Sequence, residues 1–187
     1  VRNWRPVILV LVGNPANRQS LVGLANRMEA RRGLLFLSQI VTGDWEKLMS
    51  RQSTMQRQLQ DFIRENRLSA VGKTVMADSF EQGVSTLLQV AGVGALEPNT
   101  VLMGWSEDAL REREFTGAVR RILELERNLL IFAEADVAQR ELKPVIDVWW
   151  RAKNNGSFML TLAHLWQEGA IGREYCLRVR RIVASED

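Results

Sequence analysis

The sequence predicts an α/β protein built on a mostly parallel sheet flanked by helices. Three observations carry that expectation. Short apolar runs alternate with stretches whose apolar residues recur at helical spacing, the rhythm of βαβ units. The first run, residues 7–12, is apolar on both faces, as a central parallel strand should be. Glycine, asparagine or proline punctuates most junctions.

Pro6 opens the first strand, the Val-Ile-Leu-Val-Leu-Val run at 7–12. Gly13-Asn14-Pro15 then turns the chain into a helix with Leu21, Leu24, Ala25 and Met28 on one face, and Gly33 stops it. Residues 34–41 read as the second strand. A long Arg/Gln-rich helix over 45–66 carries the stripe Leu48, Met55, Leu59, Phe62 and Ile63. Residues 71–76 are a weaker third strand. Ser79 and Gln82 form a capping box ahead of Val84, Leu87, Leu88 and Ala91, with Gly92 and Gly94 ending that helix. Pro98-Asn99-Thr100 starts a fourth strand at 101–103, which closes at Gly104. Glu107 and Asp108 suit the positive end of the next helix, whose core face is Phe115, Val119, Ile122 and Leu123. Residues 129–133 are the fifth strand.

The rhythm then changes. Residues 145–150 are β-branched and aromatic, ending in Trp149-Trp150. Asn155-Gly156 predicts a turn with positive φ, and Ser157 can cap the helix after it. That helix, 158–166, is apolar nearly all round and must be covered on more than one side. A last strand over 175–183 alternates Leu177 and Val179 with Cys176, Arg178 and Arg180, so one face is wet or paired. The expected division is a first α/β subdomain at 1–174 and the truncated start of a second at 175–187.

Composition narrows the function. With 187 residues and 46% hydrophobic content the chain can bury a sizeable core. Its charges are well mixed and its net charge is +3, and the pairs Arg31-Arg32, Arg120-Arg121 and Arg180-Arg181 read as solvated edges. A nucleic acid is therefore not an expected partner. Cys176 is the only cysteine, which excludes an intramolecular disulfide and a cysteine-based zinc site; mid-strand, it is expected to be a small buried thiol. No apolar run reaches bilayer length, and no signal-peptide pattern follows the first residues. His164, the sole histidine, lies on the apolar helix and reads as a packing or interface residue rather than a general base. The carboxylates are dispersed without metal-ligand spacing. No enzyme activity, cofactor, metal or direct small-molecule substrate is expected.

One ligand hypothesis remains. In doubly wound sheets ligands bind beyond the carboxyl ends of the strands. A nucleotide could sit among the turns holding Gly13, Asn14, Gly43 and Gly104, as in a free-standing nucleotide-binding protein of the universal-stress type. The loop lacks both G-x-G-x-x-G and a Walker lysine, however, so a plain strand-to-helix turn is the better reading. The six tryptophans, taken with the apolar helix, point instead to docking on a partner.

Four segments carry a family resemblance. Trp4-Arg5-Pro6 runs into Val10-Leu-Val-Gly13-Asn-Pro15. Gln89-Val-Ala-Gly92-Val-Gly94 leads to Pro98-Asn99-Thr100-Val-Leu-Met-Gly104-Trp105. Ile146-Asp147-Val148-Trp149-Trp150 precedes Gly156, and Cys176-Leu177-Arg178-Val179 comes last. In order and spacing these resemble the cytosolic carboxy-terminal domain of the cation–chloride cotransporters. The resemblance implies a universal-stress-protein-like sandwich in a homodimeric domain on the cytoplasmic side of the cell membrane, attached to the transporter's own transmembrane domain. Transport chemistry would then lie in membrane helices outside this stretch. Trp149, Trp150, Phe158, Leu162, Leu165 and Trp166 are the candidates for packing at a junction, within the domain or between protomers. Two departures stand out. Lys153-Asn154-Asn155 replaces the acidic residues many relatives have there, and the loops lack the long phosphorylatable insertions of animal relatives, which fits a prokaryotic or archaeal member. Some relatives hold a nucleotide near the first strand's turn; no lysine stands beside Gly13-Asn14 here, so that site is not carried over.

Overall fold

A computed structural model describes residues 4–29, 32–92, 94, 96–106, 108, 111–134, 145–150, 155–168 and 174–182. The chain divides into two units, Val1–Glu134 and Ala135–Asp187. The first contains β1 (Val7–Leu11), α1 (Gln19–Glu29), β2 (Leu34–Thr42), α2 (Trp45–Glu65), β3 (Val71–Ala77), α3 (Phe80–Val90), β4 (Thr100–Gly104), α4 (Glu112–Glu124) and β5 (Asn128–Phe132). The second contains β6 (Val145–Trp149), α5 (Gly156–Glu168) and β7 (Cys176–Arg180). The division expected at 174/175 falls inside the second unit, because β7 finds its ladder partner in β6.

The α/β expectation holds. All five strands of the first sheet are parallel, in the order β3-β2-β1-β4-β5. β1 is central because it is apolar at every position: Ile8, Leu9 and Val10 are wholly buried. Successive side chains go to opposite faces. Leu9 joins Phe36, Val84, Leu87, Val101 and Ile122 in a cluster under α3 and α4. Ile8 and Val10 go to the opposite face, where α1 and α2 pack on the sheet. Each fully buried Leu or Val here is worth roughly 1.5–3 kcal/mol of transfer free energy. Leu123, expected on the core face of α4, is 58% exposed, and Ala118 takes the buried place. The helical step of about 100° from Ile122 carries Leu123 away from the sheet.

Polar side chains finish both ends and one edge. At the β3 edge, α2 supplies a glutamine ladder: Gln56 donates to the Gly72 carbonyl at 3.0 Å and accepts from the Thr74 amide at 2.7 Å, while Gln52 donates to the Thr74 carbonyl at 3.3 Å. Residues four apart share a helix face, so two glutamines can satisfy one edge strand and close it to further pairing. Ser79 caps α3 by accepting the Gln82 amide at 3.2 Å, and Gln82 reaches back to accept from the Asp78 amide. This is the expected capping box displaced by one residue on its return arm.

In the second unit β6 and β7 form a two-stranded parallel sheet joined through α5. Gly156 is not a positive-φ turn residue, as the sequence suggested; it is the first residue of α5. Its missing Cβ is what matters, since a methyl there would enter the Trp150 ring. Ser157 is likewise inside the first turn rather than the cap, and the Asn155 carbonyl accepts the Met159 amide at 2.9 Å. Cys176 is exposed rather than buried, because it shares the outward face of β7 with Arg178 and Arg180. Lys153 and Asn154 lie outside the described residues.

Candidate functional site

The strand order reverses between β1 and β4, and there the carboxyl ends part to leave a crevice, as open parallel sheets require. It measures about 760 Å3 and runs from the start of α1 to Phe132 and Glu134 at the end of β5. A smaller cavity of about 150 Å3 adjoins it, sharing Arg18, Ser106 and Arg111. Arg18 immediately precedes α1, and its carbonyl accepts the Val22 amide at 3.0 Å. Its guanidinium lies over Gly104, where any Cβ would displace it. Arg111 stands at the start of α4 with its Nε 3.5 Å from Asp108 Oδ2. Trp105, half exposed, packs edge-on against Phe115 with ring centres 5.4 Å apart. Ser20 donates to Glu134 at 2.6 Å across the far wall.

Of the four turn residues singled out for a nucleotide, Gly13 and Gly104 line this crevice system. Asn14 spends its side-chain oxygen on the Ala16 amide at 3.1 Å, capping a 3-10 turn at Pro15–Asn17. Gly43, at φ 136°, lets the chain bend above Leu48, while Asp44 caps α2 through the Glu46 amide. Asn14 and Gly43 are therefore explained by local turn chemistry. Among the described residues no His/Cys/Asp/Glu group could hold a metal ion.

The motif residues gather elsewhere. Asn99 ties the amino ends of β1, β4 and β5 together: its side-chain oxygen accepts from the Val7 amide at 3.2 Å and the Thr100 hydroxyl at 2.9 Å, and its amide group donates to the Arg5 carbonyl at 2.7 Å. Its backbone carbonyl accepts from the Asn128 amide at 3.0 Å. Pro6 and Pro98 are buried beside this knot, Trp4 is half-buried, and the Pro6 carbonyl accepts from Leu34. Thus Trp4-Arg5-Pro6 and Pro98-Asn99-Thr100 meet at the sheet end away from the crevice. Of the first-unit motif segments, the carboxyl ends of β1 and β4 with Gly13, Gly104 and Trp105 reach it. In the second unit Asp147 accepts a bidentate fork from Arg178 at 2.7 and 2.9 Å and a third bond from Arg180 at 3.0 Å. Arg178 foremost, with Arg180, lowers the Asp147 carboxyl to a pKa of about 2. The Arg180 guanidinium also stands 5.8 Å over the Trp149 ring. Leu165 is buried within the unit, whereas Phe158, Leu162 and Trp166 are half-buried.

Residues 18–116, more than half of the chain, match the profile of the family described as Solute carrier family 12. The chain belongs to that family. It is 32% identical over 111 residues to the mouse protein named solute carrier family 12 member 2, covering 59% of this chain and 9% of that protein. The human protein of the same name matches equally, at 32% over 111 residues. Rat solute carrier family 12 member 1 is 28% identical over 136 residues, 70% of this chain and 12% of its own length. This chain thus spans about a tenth of each of these family members. The matched stretch begins at Arg18 and takes in α1 to β4 and the start of α4, with Asn99, Gly104 and Arg111, while β1 and β5 lie outside it. Arg18 and Arg111 did not stand out in the sequence. The available signal was an arginine in front of a helix where Ser, Thr, Asp or Asn is preferred.

Proposed function

We propose that this chain is a cytosolic regulatory and dimerisation domain of a secondary active cation–chloride cotransporter, with no catalysis of its own. Family membership carries the reading, because the profile falls on a sheet-and-helix unit rather than on a bilayer-length span. Among the described residues no helix is long and apolar enough to cross a membrane. Such a domain acts by differential contact: a rigid α/β body that docks better in one transport state shifts the equilibrium between states. Its partners in this reading are a second copy of itself and the transporter's own membrane-spanning part.

The test uses the parent transporter reconstituted in vesicles, with chloride-dependent cation uptake as the readout. Replacing residues 1–187 by a flexible linker is expected to lower uptake and dimer content together while leaving the membrane part folded. Unchanged uptake and unchanged dimer content would refute the role. The free-standing nucleotide-binding alternative is less favoured, since family membership accounts for the sheet without it.

A further inference from the structure

We propose that the outer edge of β5 pairs antiparallel with the same strand of a second copy of this chain, joining two five-stranded sheets into one. The proposal rests on the dimerisation reading above and gives that dimer a surface. The two edges of the first sheet are finished differently. At β3 the outward backbone groups of Gly72 and Thr74 are taken up by Gln52 and Gln56 of α2. Among the described residues no strand pairs with the far side of β5. Natural sheets blunt such an edge with charge, proline or a bulge. β5 reads Asn-Leu-Leu-Ile-Phe, with neither charge nor proline, and its register against β4 is unbroken.

Backbone direction fixes which groups the edge offers. The Asn128 amide donates to the Asn99 carbonyl at 3.0 Å, and the Phe132 carbonyl accepts from the Trp105 amide at 2.7 Å. Both residues therefore turn their backbone groups toward β4. Direction alternates along a strand, so Leu129 and Ile131 present theirs to the open side. A two-fold axis at Leu130 sets Leu129 opposite Ile131 of the second copy, and Ile131 opposite its Leu129. Each of these pairs exchanges two hydrogen bonds, and the symmetric pairing closes four.

The chemistry of the edge selects a second copy as the occupant. In this register Leu129, Leu130 and Ile131 meet only apolar side chains, and Ile131, 44% exposed, gains cover from a leucine on its own face. The one polar side chain, Asn128, is held inward by its bond to the Asn99 carbonyl at 3.0 Å. The same self-pairing centred on β6 would oppose Asp147 to Asp147, and centred on β7 it would oppose Arg178 to Arg178. Like charges directly opposite disfavour both. β3 carries Lys73, so among the described edge strands β5 alone is uncharged.

The experiment follows the full chain by sedimentation and by amide hydrogen exchange across a concentration series. The native chain is expected to form dimers, and the Leu129 and Ile131 amides should gain protection in step with them, while the Leu130 amide is protected throughout by β4. Ile131→Lys should weaken association about tenfold or more, and Val71→Lys at the covered β3 edge not at all. Should Ile131→Lys melt early as a monomer, the exchange series on the native chain decides alone. A dimer that survives Ile131→Lys with both outward amides unprotected would overturn this surface and leave the dimerisation reading standing. A chain that stays monomeric at high concentration would overturn both. Protection of those two amides in the monomer would show the edge covered by the chain itself, and would also overturn the proposal.

Discussion

β1-α1-β2 and β6-α5-β7 are the same parallel βαβ motif in two settings. Every residue of β1 is buried, with a strand on each side and helices on both faces. In β6 only Val148 is buried, and no residue of β7 is. Apolar burial therefore sets the register of β1 against its neighbours, since a one-residue slip would turn Leu9 and Val10 to the wrong faces. β6 and β7 have too little burial for that. Their register is held instead by the fork from Arg178 to Asp147 opposite it, by the single bond from Arg180, and by the Trp150 amide donating to the Arg180 carbonyl at 2.6 Å. One motif is held by the hydrophobic effect, the other by charge.

The largest effect should come from the buried side. Leu9→Ala is expected to cost about 2–5 kcal/mol, because a fully buried leucine leaves a cavity the sheet cannot close. Denaturant unfolding should show it as a lower midpoint at unchanged slope. Asn99→Ala removes the acceptor for Val7 and the donor to Arg5, at about 2–3 kcal/mol by the same measurement. Gly156→Ala should cost about 1–3 kcal/mol but confine its loss of amide protection to the second unit, where the Trp150 ring must move.

Asp147→Asn tests the charged side directly. The folded carboxyl titrates near 2, below its ordinary 3.8, so its contribution is complete above pH ~4 and disappears as pH falls through the folded value. Hydrogen exchange in β6 and β7 should accelerate over that acid window in the native chain. The variant should exchange faster at neutral pH and lack the acid step, while β1 keeps its protection in both. An identical acid profile in native chain and variant would remove Asp147 as the register lock. The smallest effect is Leu123→Ser, expected within about 0.5 kcal/mol because the side chain faces solvent.

The strands and helices of the first unit were legible because their patterns are long and undiluted. Six apolar residues in a row leave no reading but a covered strand. Gly156 was harder. Its position before an apolar helix suggested a backbone requirement, and the real constraint is a ring six residues earlier in sequence that only packing brings to it. Cys176 and Leu123 failed in the same way, since exposure depends on what covers an element. In the crevice, Gly13 and Gly104 were named from turn grammar. Arg18 and Arg111 were not, because charged residues at helix starts look ordinary until two of them face one space.

Sequence alone determined the class, the alternation of strand and helix, and the central place of the first strand, since apolar patterning is a local property of the chain. Tertiary structure decided the rest. It placed the unit boundary at 134/135, because pairing β6 with β7 is a long-range contact no local pattern encodes. It also brought Arg18, Gly104 and Arg111 to one cavity, because distance in space follows the strand order, and that order is set by packing.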